Sequence, residues 1–595
     1  MRLPYAPSRA LRDLRVPFAV FRSDARRFLH GQSQAFDAAV IGGGITGLTA
    51  AYRLSKNPLC SKITLYEKAP HLGGWLQSER IPVDGGDIVF EYGPRTMRLQ
   101  PLSSLPLLDL LSDLQLEDQI LVTPKSSPAS QNRYIYYPDH LVRLPAPQKG
   151  ANPISQLANL LRTLFREPLF ETALWSIVTE PLKDPPQIQH QDESVTEFVS
   201  RRFSPEVANN LVSSIYHGIL AGDIDRLSAD ALFGWFRGFE REERNVLIPL
   251  VERTKEGGRL LNADDIIAQH TIREKKSSTH INDLDQVTKL GSTLTLKNGV
   301  GQLADALVAE LNRSDKVEVL TNANVTSISQ DSMNSYLTVE CGSDGARLHD
   351  RLIATNPAPD LARQLDHKGL SKNAKHPIST ISALQAHNYA VTTMVINLYY
   401  QDPHLLPVRG FGYLIPRSIP YAQNPERALG VVFASESSIG QDSAPGTKLT
   451  VMLGGHYWDG WEESDYPDHD TAVMMAQSLL KRHLGITDSP TVARARLQRE
   501  AIPQPTVGHT ERMNHLSRSI QHEFDRRITL AGAWYAMGNT GVVDSIRQAY
   551  LAEAYGVRPL DPEERLPLSP LRRQGFDPEG GIITVPNRLY CPRYF

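Results

Sequence analysis

Three glycines at a fixed spacing are the first residues in the chain whose arrangement predicts chemistry. Gly42, Gly44 and Gly47 form a G-x-G-x-x-G pattern between a short apolar run, residues 37–41, and an amphipathic helical pattern. The first glycine permits a tight turn, the second lets the backbone approach a pyrophosphate, and the third allows close helix–strand packing. The helix N-terminus then offers free N–H groups to the phosphates. The pattern therefore predicts a dinucleotide site.

An acidic residue completes this pattern. A second predicted strand, residues 62–66, is followed at once by Glu67, which lies 20 residues after Gly47. A carboxylate at this position binds the hydroxyl pair of a ribose and disfavours a 2′-phosphate, so NADP is not expected. Strand, turn, helix, strand and acid together predict the start of a doubly wound parallel sheet.

Two further glycine-containing stretches favour FAD over NAD. The doublet Gly73-Gly74 follows Glu67 by six residues, a placement typical of FAD enzymes of the amine-oxidase type, although alone it would read as a simple turn. Near the other end of the chain, residues 530–533 precede a glycine-rich stretch and a predicted helix from Ser545. The N-terminus of such a helix would stabilise an anionic reduced flavin. We predict FAD as the cofactor.

These and further motifs together resemble one family, the oxygen-dependent, mitochondrial-type protoporphyrinogen oxidases of the FAD amine-oxidase and GDI-like superfamily. Leu-Gly-Gly-Trp, Gly-Pro-Arg, Gln-Asn-Arg and Val-Met-Leu-Gly-Gly are the narrower signatures, whereas the first glycine motif is shared by many flavin oxidases. The stretches that carry the resemblance are collinear along the chain: residues 39–47, 71–75, 90–95, 131–133, 192–195, 221–223, 410–412, 429–433, 451–455, 502–504 and 530–533.

The resemblance implies a reaction and a type of pocket. Protoporphyrinogen IX would become protoporphyrin IX in three two-electron rounds, with oxygen reduced to hydrogen peroxide, as the penultimate step of haem biosynthesis. The substrate is large and apolar and carries two propionates, so the pocket should be apolar with one or two cations. Flavin N5 takes the hydride and a pyrrole N–H can be lost, so we name no catalytic protein residue and no metal.

The resemblance also implies the binding residues. Arg133 would pair with a propionate, and Leu414, Val432 and Met452 would sandwich the macrocycle; from the sequence alone, core packing is the alternative for Leu414 and Val432. The family commonly has Asp-Cys-Ile where this chain has residues 544–546 as Asp-Ser-Ile, and the preceding spacing is one residue longer. The implied FAD-binding residues are Gly42, Gly43, Gly44, Ile45, Thr46 and Gly47 at the pyrophosphate, Glu67, Lys68 and Val325 at the adenosine, and Trp75, Gly93, Pro94, Arg95, Thr96, Ala533, Thr540, Gly541 and Val542 at the flavin.

Composition limits the other possible classes. The 595 residues carry a net charge of −3, which argues against a nucleic-acid binder, and three cysteines are too few for a disulfide framework or a zinc ligand set. Residues 1–36 hold seven arginines against two aspartates, a net charge of +5, so the remainder carries −8. This start reads as a mitochondrial transit peptide, with a disordered basic arm as the alternative. No apolar run reaches 18 residues, so we expect peripheral attachment only.

The expected architecture is α/β and α+β: a Rossmann-like FAD-binding domain, a mixed-sheet substrate domain and an α-helical membrane-associated domain. Sixteen charged residues among the 37 of segment 240–276 predict a solvated insertion. The predicted boundaries are 1–36 for the leader, 37–125, 294–345 and 490–556 for the FAD domain, 126–293 for the helical domain, 346–489 for the substrate domain and 557–595 for a proline-rich tail.

Location and partners follow from the resemblance. The apolar helical stretch 151–182 would dock on the mitochondrial inner membrane, with a buried helical subdomain as the alternative. Ferrochelatase contact and a homodimer are implied by analogy alone. Two other functions stay open: a different flavin enzyme, such as an amine oxidase or desaturase, and a flavin-free GDI-like binding protein.

Overall fold

The computed structural model describes residues 35–145, 153–184, 191–255, 259–261, 263–330, 336–342, 345–366, 377–538, 540–556 and 589–591. The predicted leader, apart from its last two residues, and all of the predicted tail except residues 589–591 lie outside the described residues. Among the described helices, none combines the length and the apolar character needed to cross a membrane.

A five-stranded parallel sheet contains the glycine motif. Four of its strands are largely buried, as parallel strands usually are, and the edge strand Val317–Leu320 is partly buried. Helices on both faces of the sheet confirm the predicted doubly wound fold. Helices Ile45–Ser55, Gly301–Asn312 and Val542–Gly556 pack on one face. Helices Ala358–Leu365, Ile378–Gln385 and His509–Glu523 belong to the core of the other face. The strand order is Val317–Leu320, Cys60–Tyr66, Phe36–Ile41, Arg351–Ala354 and Ile528–Leu530.

A seven-stranded mixed sheet forms the second layer. All its pairs are antiparallel except the parallel pair of Gly412–Leu414 with Tyr134–Tyr136. Helix His469–Leu484 packs against one face. The strand order is Val492–Pro503, Ala390–Tyr400, Thr447–Gly454, Ala428–Phe433, Gly412–Leu414, Tyr134–Tyr136 and Leu141–Arg143.

The strand pairing in these two sheets differs from the predicted domain boundaries. Strand Arg351–Ala354 lies beyond the predicted boundary at 345, yet it pairs with Phe36–Ile41 inside the parallel sheet. Strand Val492–Pro503 lies beyond 490, yet it pairs with Ala390–Tyr400 in the mixed sheet. Both strands are assigned by hydrogen-bond partners that are far away in sequence, and local composition carries no signal of those partners.

Smaller elements connect the two layers. The remaining strands form a sheet of Met97–Arg98, Gly291–Leu296 and Ile120–Pro124, a sheet of Val325–Gln330, Leu337–Cys341 and Ala346–His349, and the pairs Ser78–Val83 with Gly86–Glu91 and Arg259–Leu261 with Leu589–Cys591. The remaining helices are Leu105–Asp113, Pro128–Gln131, Pro153–Arg166, Ala173–Thr179, Val195–Arg202, the π-helical Val207–Val212, Ser213–Leu220, Ala229–Leu232, Gly234–Glu243, Leu247–Lys255, Ala263–Lys275, Ser278–Leu290 and Ala434–Ser437. Short 3₁₀ turns occur at Glu117–Gln119, Pro168–Phe170, Glu180–Leu182, Tyr421–Gln423, Gly455–Trp458, Glu463–Asp465 and Ala533–Tyr535.

The segment 240–276 is not the solvated insertion that its charge predicts. Helix Ala263–Lys275 buries Ile272 in the main core, and Asp265 is buried in an ion pair with Arg547 at 2.8 Å. Glu240 is also fully buried. The prediction was wrong because charged residues at these positions pair with one another inside the fold, and such partners are invisible in a local count.

Candidate active site

Each glycine of the glycine motif occupies its position for a different structural reason. Gly42 has φ +102°, in the left-handed region that favours glycine. A Cβ on Gly44 would meet nothing within 4 Å, so open space lies above this backbone. A Cβ on Gly47 would overlap the carbonyl oxygen of Gly42, so helix and strand could not approach as they do. Helix Ile45–Ser55 has no side-chain cap, which leaves its N-terminal amides for a ligand.

Glu67 stands at the carboxyl end of strand Cys60–Tyr66. One carboxylate oxygen accepts the N–H of Gly43 at 2.6 Å and the other accepts the N–H of Ala69 at 2.8 Å. The amide of Ala323 donates to the carbonyl of Glu67 at 2.8 Å, so the segment leading to buried Val325 runs alongside. Lys68 is exposed and forms an ion pair with Asp360 at 2.9 Å.

The glycine doublet packs directly on the glycine motif. The amide of Gly73 donates to the carbonyl of Gly43 at 2.8 Å, and Gly73 and Gly74 both have positive φ. A Cβ on Gly74 would lie 3.2 Å from the Cα of Gly44. The doublet therefore borders the same open space as the phosphate loop.

A second loop, residues 93–96, lies beside the doublet. A Cβ on Gly93 would overlap the carbonyl oxygen of Trp75, so the two backbones touch. Trp75 itself is 42% exposed, a large value for a tryptophan that packs against this loop. Pro94, Arg95 and Thr96 are partly buried. Large, partly open side chains here form a platform next to the dinucleotide site.

Arg95 is the charged residue of this loop. Its carbonyl accepts a hydrogen bond from the Thr295 hydroxyl at 2.9 Å, but its Nε has no hydrogen-bond partner among the described residues. Burial lowers the pKa of Arg95 to about 10, and Glu91 opposes this effect. Burial also raises the pKa of Glu91 to about 7, although Glu91 accepts hydrogen bonds from Ser78 and the amide of Val300.

The C-terminal segment returns to the glycine motif. Gly532 has φ +103°, and a Cβ there would lie 3.2 Å from the hydroxyl of Thr46. Ala533 therefore follows directly over the first turn of helix Ile45–Ser55. The amide of Ser545 donates to the carbonyl of Gly541 at 2.9 Å, which starts helix Val542–Gly556. Thr540 is partly buried, Gly541 is exposed and Val542 is buried.

These residues fit FAD. The uncapped helix and the open space over Gly44 suit a pyrophosphate, and Glu67 suits a ribose. The 93–96 loop touches Trp75 next to the glycine doublet, and Gly532 lies against Thr46 of the glycine motif. Segments from both ends of the chain thus meet at the glycine motif.

An apolar surface faces this site from the mixed sheet. Leu414 pairs with Gly430, which pairs with Met452, and Gly412 pairs with Val432. Side chains two residues apart on a strand share a face, so Leu414, Val432 and Met452 all lie on one side. They are partly exposed, whereas their neighbours Tyr413, Val431, Val451 and Leu453 are buried in the core of the opposite face. Leu414 also packs against helix Ser213–Leu220, where a Cβ on Gly218 would lie 2.7 Å from one of its methyl groups.

Hydrogen bonds join this sheet to the residues just before the 93–96 loop. Asn397 donates to the carbonyl of Glu91 at 2.8 Å and accepts from Thr450 at 2.7 Å. Gln498 donates to the carbonyl of Tyr92 at 2.7 Å. Because these side chains are buried, the contacts hold the apolar face against the dinucleotide-binding domain.

Arg133 lies at one end of the apolar face. It follows helix Pro128–Gln131, and its guanidinium lies 5.2 Å from the centre of the Phe411 ring. Phe411 directly precedes Gly412, the partner of Val432. Burial lowers the pKa of Arg133, and the nearby Arg98 lowers it further.

Sequence reasoning missed two features of this region. The buried His217 and the partly buried His456 form a hydrogen-bonded pair beside the apolar face, where a Cβ on Gly218 would lie 2.7 Å from Leu414. Arg98 acts on Arg133 from a different segment of the chain. Neither feature has a local sequence signature, because the partners are 239 and 35 residues apart.

A Rossmann-like sheet with a glycine-rich loop after one strand, an acid at the end of the next strand and an adjoining apolar face is the architecture of a flavin-dependent oxidoreductase. The model of the family described as flavin containing amine oxidoreductase matches residues 45–552. The chain is 32% identical to a protoporphyrinogen oxidase of Schizosaccharomyces pombe over 502 residues, which cover 84% of this chain and 94% of that protein. It is 31% identical to the protoporphyrinogen oxidase of Homo sapiens over 516 residues, covering 86% and 96%.

Comparison with solved structures shows the same fold. A crystal structure from Exiguobacterium sp. 255-15 matches with a TM-score of 0.64 at 20% identity, covering 88% of this chain and 98% of that one. The chain therefore belongs to the flavin containing amine oxidoreductases, among relatives that are protoporphyrinogen oxidases. It is an oxidoreductase, and its cofactor is FAD.

Proposed function

We propose that this chain oxidises protoporphyrinogen IX to protoporphyrin IX, with oxygen as the final electron acceptor and hydrogen peroxide as the second product. The observation that carries the proposal is the apolar face of Leu414, Val432 and Met452, which has Arg133 at one end. The sheet that carries this face is hydrogen-bonded to the residues just before the 93–96 loop. A flat apolar macrocycle with acidic side chains matches such a surface. The named relatives support the same substrate.

The residues of the chain bind and orient the substrate. The apolar face excludes water and holds the macrocycle flat, and Arg133 binds a propionate at its edge. When bound, FAD supplies the acceptor for the hydride that leaves the meso carbon. Positioning of that carbon in a dry site is then the main contribution of the protein, and the pyrrole N–H proton leaves to solvent.

The decisive experiment is porphyrin formation by the purified FAD-loaded protein, followed by fluorescence. We expect emission of protoporphyrin in air and its suppression under anaerobic conditions, together with release of peroxide. Putrescine and other polyamines serve as comparison substrates. Peroxide formation with amines, and none with protoporphyrinogen, would show an amine oxidase instead.

We also propose that the helical region docks on a membrane surface, in agreement with a mitochondrial inner-membrane location. Phe165 is 77% exposed and Trp175 is 73% exposed, and neighbouring exposed apolar residues include Ile177, Val178 and Leu182. A soluble surface rarely concentrates large apolar side chains in this way. Peripheral contact would place the site next to the phase that an apolar porphyrinogen prefers.

Sedimentation with cardiolipin-containing vesicles tests the docking surface. We expect the double variant Phe165→Ser with Trp175→Ser to remain in the supernatant while the unaltered protein sediments. Leu348→Ser is a matched control, because Leu348 is 62% exposed but lies on the dinucleotide-binding domain. Equal sedimentation of all three proteins would exclude docking through this surface.

A further inference from the structure

We propose that Arg98 is a second carboxylate-binding residue of the active site, which holds the propionate that Arg133 leaves free. The inference rests on the proposed function, because only a substrate with two carboxylates would bind to both arginines. Arg98 would act as a positioning residue that sets how the macrocycle lies on the apolar face.

The strand register places the side chain of Arg98 on a defined side of its sheet. Arg98 pairs with Thr293, which pairs with Thr123, and directly opposed residues of antiparallel strands share a face. Met97 points to the other face, where it is buried in the main core. The hydroxyl of Thr123 donates to the carbonyl of Ser437 at 3.1 Å. The face that carries Arg98 is therefore directed towards the helix that follows strand Ala428–Phe433.

Arg133 is fixed to the same small sheet from another segment. The hydroxyls of Ser130 and Ser292 lie 2.5 Å apart, and Ser292 is the neighbour of Thr293. Helix Pro128–Gln131 is thereby tied to the sheet just before Arg133. Because Phe411, under the Arg133 guanidinium, precedes the partner of Val432, Arg133 lies at the Val432 end of the apolar face. The sheet face that carries Arg98 is directed towards the helix that begins just after this end of the strand.

The positive charges of Arg98 and Arg133 are not balanced by carboxylates. Within the described part of the chain, neither Arg98 nor Arg133 pairs with a carboxylate, and each is open to solvent. Arg409, two residues before Phe411, is by contrast paired with Glu436 at 2.9 Å. The Arg98 guanidinium is also close enough to lower the pKa of Arg133. Two unpaired like charges repel each other, and an anion bound between or beside them relieves that repulsion.

The two carboxylates of the substrate match the two arginines. The two propionates of protoporphyrinogen IX leave the macrocycle along one edge, so two cations at one end of an apolar surface can bind both at once. Guanidinium groups suit this task because they bind carboxylates through two parallel hydrogen bonds. Two fixed points also determine which meso carbon faces the flavin loop, whereas one would leave the ring free to rotate.

The test compares protoporphyrin IX with its dimethyl ester, in which both propionates are neutral esters. Arg98→Gln and Arg133→Gln are measured beside the control Arg518→Gln. Arg518 is exposed on helix His509–Glu523 and forms no ion pair with the residues that the structure describes. Affinity for protoporphyrin IX and for its dimethyl ester is obtained by fluorescence quenching on the FAD-loaded protein, and KM and kcat by porphyrin formation.

For the free acid, we expect Arg98→Gln to raise Kd and KM about 10-fold, with kcat changed less than about twofold, and Arg98→Lys to recover most of the loss. For the dimethyl ester, Arg98→Gln and the unaltered protein should bind equally, and Arg518→Gln should match the unaltered protein throughout. Equal weakening of acid and ester, or no weakening of the acid, would overturn the role of Arg98. Since binding is measured without turnover, selective loss of acid binding in a protein that forms no porphyrin would refute the proposed function alone.

Discussion

His217 and His456 share a hydrogen bond of 2.9 Å between their Nε2 atoms, and the surroundings decide which of them donates. Nδ1 of His217 lies 2.7 Å from the carbonyl oxygen of Ile415, which can only accept. His217 therefore carries its proton on Nδ1, its Nε2 accepts, and His456 donates through Nε2. Burial lowers the pKa of His217 to about 3 and that of His456 to about 4, so the pair is neutral.

This arrangement predicts different effects for two replacements of His217. The Phe variant leaves the Ile415 carbonyl and the His456 N–H without partners, and we expect the free energy of unfolding to fall by about 2 kcal/mol. A glutamine can donate to the carbonyl and accept from His456, so His217→Gln should lose less than half as much. Urea denaturation at pH 7.5 measures both. Equal losses for the two variants would show that the hydrogen bonds are not what stabilises this contact.

Buried histidines also predict how the stability of the whole protein depends on pH. Five of them are almost fully buried, and burial lowers the pKa of each to about 3 or about 4: His217, His349, His387, His483 and His509. An unfolded histidine takes up a proton below about pH 6.5, whereas these stay neutral until far lower pH. Their contribution is therefore fully present above pH 6.5 and is lost as pH falls.

A single variant isolates this effect. Between pH 7.5 and 5.5 each such histidine should cost about 1.3 kcal/mol of stability. His509 lies at the start of helix His509–Glu523, with Nε2 2.8 Å from the carbonyl of Ala536. Between pH 7.5 and 5.5, we expect the free energy of unfolding of His509→Gln to fall by about 1.3 kcal/mol less than that of the unaltered protein. Urea denaturation at both pH values measures this difference. The exposed His469, replaced by Gln, is the control, and an equal pH dependence for all three proteins would contradict the prediction.

How much of this molecule could be predicted from its sequence depends on how local each feature is. The glycine motif and the acid at Glu67 involve residues close together in the chain, and the structure contains both. Domain boundaries near 345 and 490 failed because strand partners are remote. Arg98, the histidine pair and the buried ions of segment 240–276 were missed for the same reason.

The glycine motif permits a test with an internal control. A Cβ on Gly47 would overlap the Gly42 carbonyl, so Gly47→Ala must push the helix away from the strand and distort the phosphate site. We expect purified Gly47→Ala to lose most of its flavin absorbance while remaining folded by circular dichroism. Gly238 sits inside helix Gly234–Glu243 with nothing within 4 Å of its Cβ position. Gly238→Ala should keep its flavin and gain about 0.5–1 kcal/mol of stability; full flavin retention in Gly47→Ala would contradict this account.

Glu240 is the centre of a buried ionic cluster in the segment whose charge predicted exposure. Its carboxylate accepts from Arg201 at 2.5 Å, lies 2.6 Å from Nε of Arg202, and pairs with Arg237 at 2.8 Å. Arg202 and Arg237 are themselves almost fully buried, so their charges have no access to water. Without the negative charge of Glu240, Arg202 faces the more distant Glu180 at 3.6 Å. Arg237 keeps Glu193 and Asp230 as partners. The loss of the Arg202 partner at 2.6 Å is costly in a medium of low polarity.

The cluster therefore predicts that a charge-removing substitution will be far more damaging at Glu240 than at the surface of the same segment. Glu240→Gln keeps the size of the side chain, and we expect it to lower the free energy of unfolding by about 3 kcal/mol. Glu252, exposed on helix Leu247–Lys255, gives the matched control Glu252→Gln, with a change below about 0.5 kcal/mol. Urea denaturation at pH 7.5 compares them. Small and equal effects would mean that the segment is solvated, as its composition alone suggests.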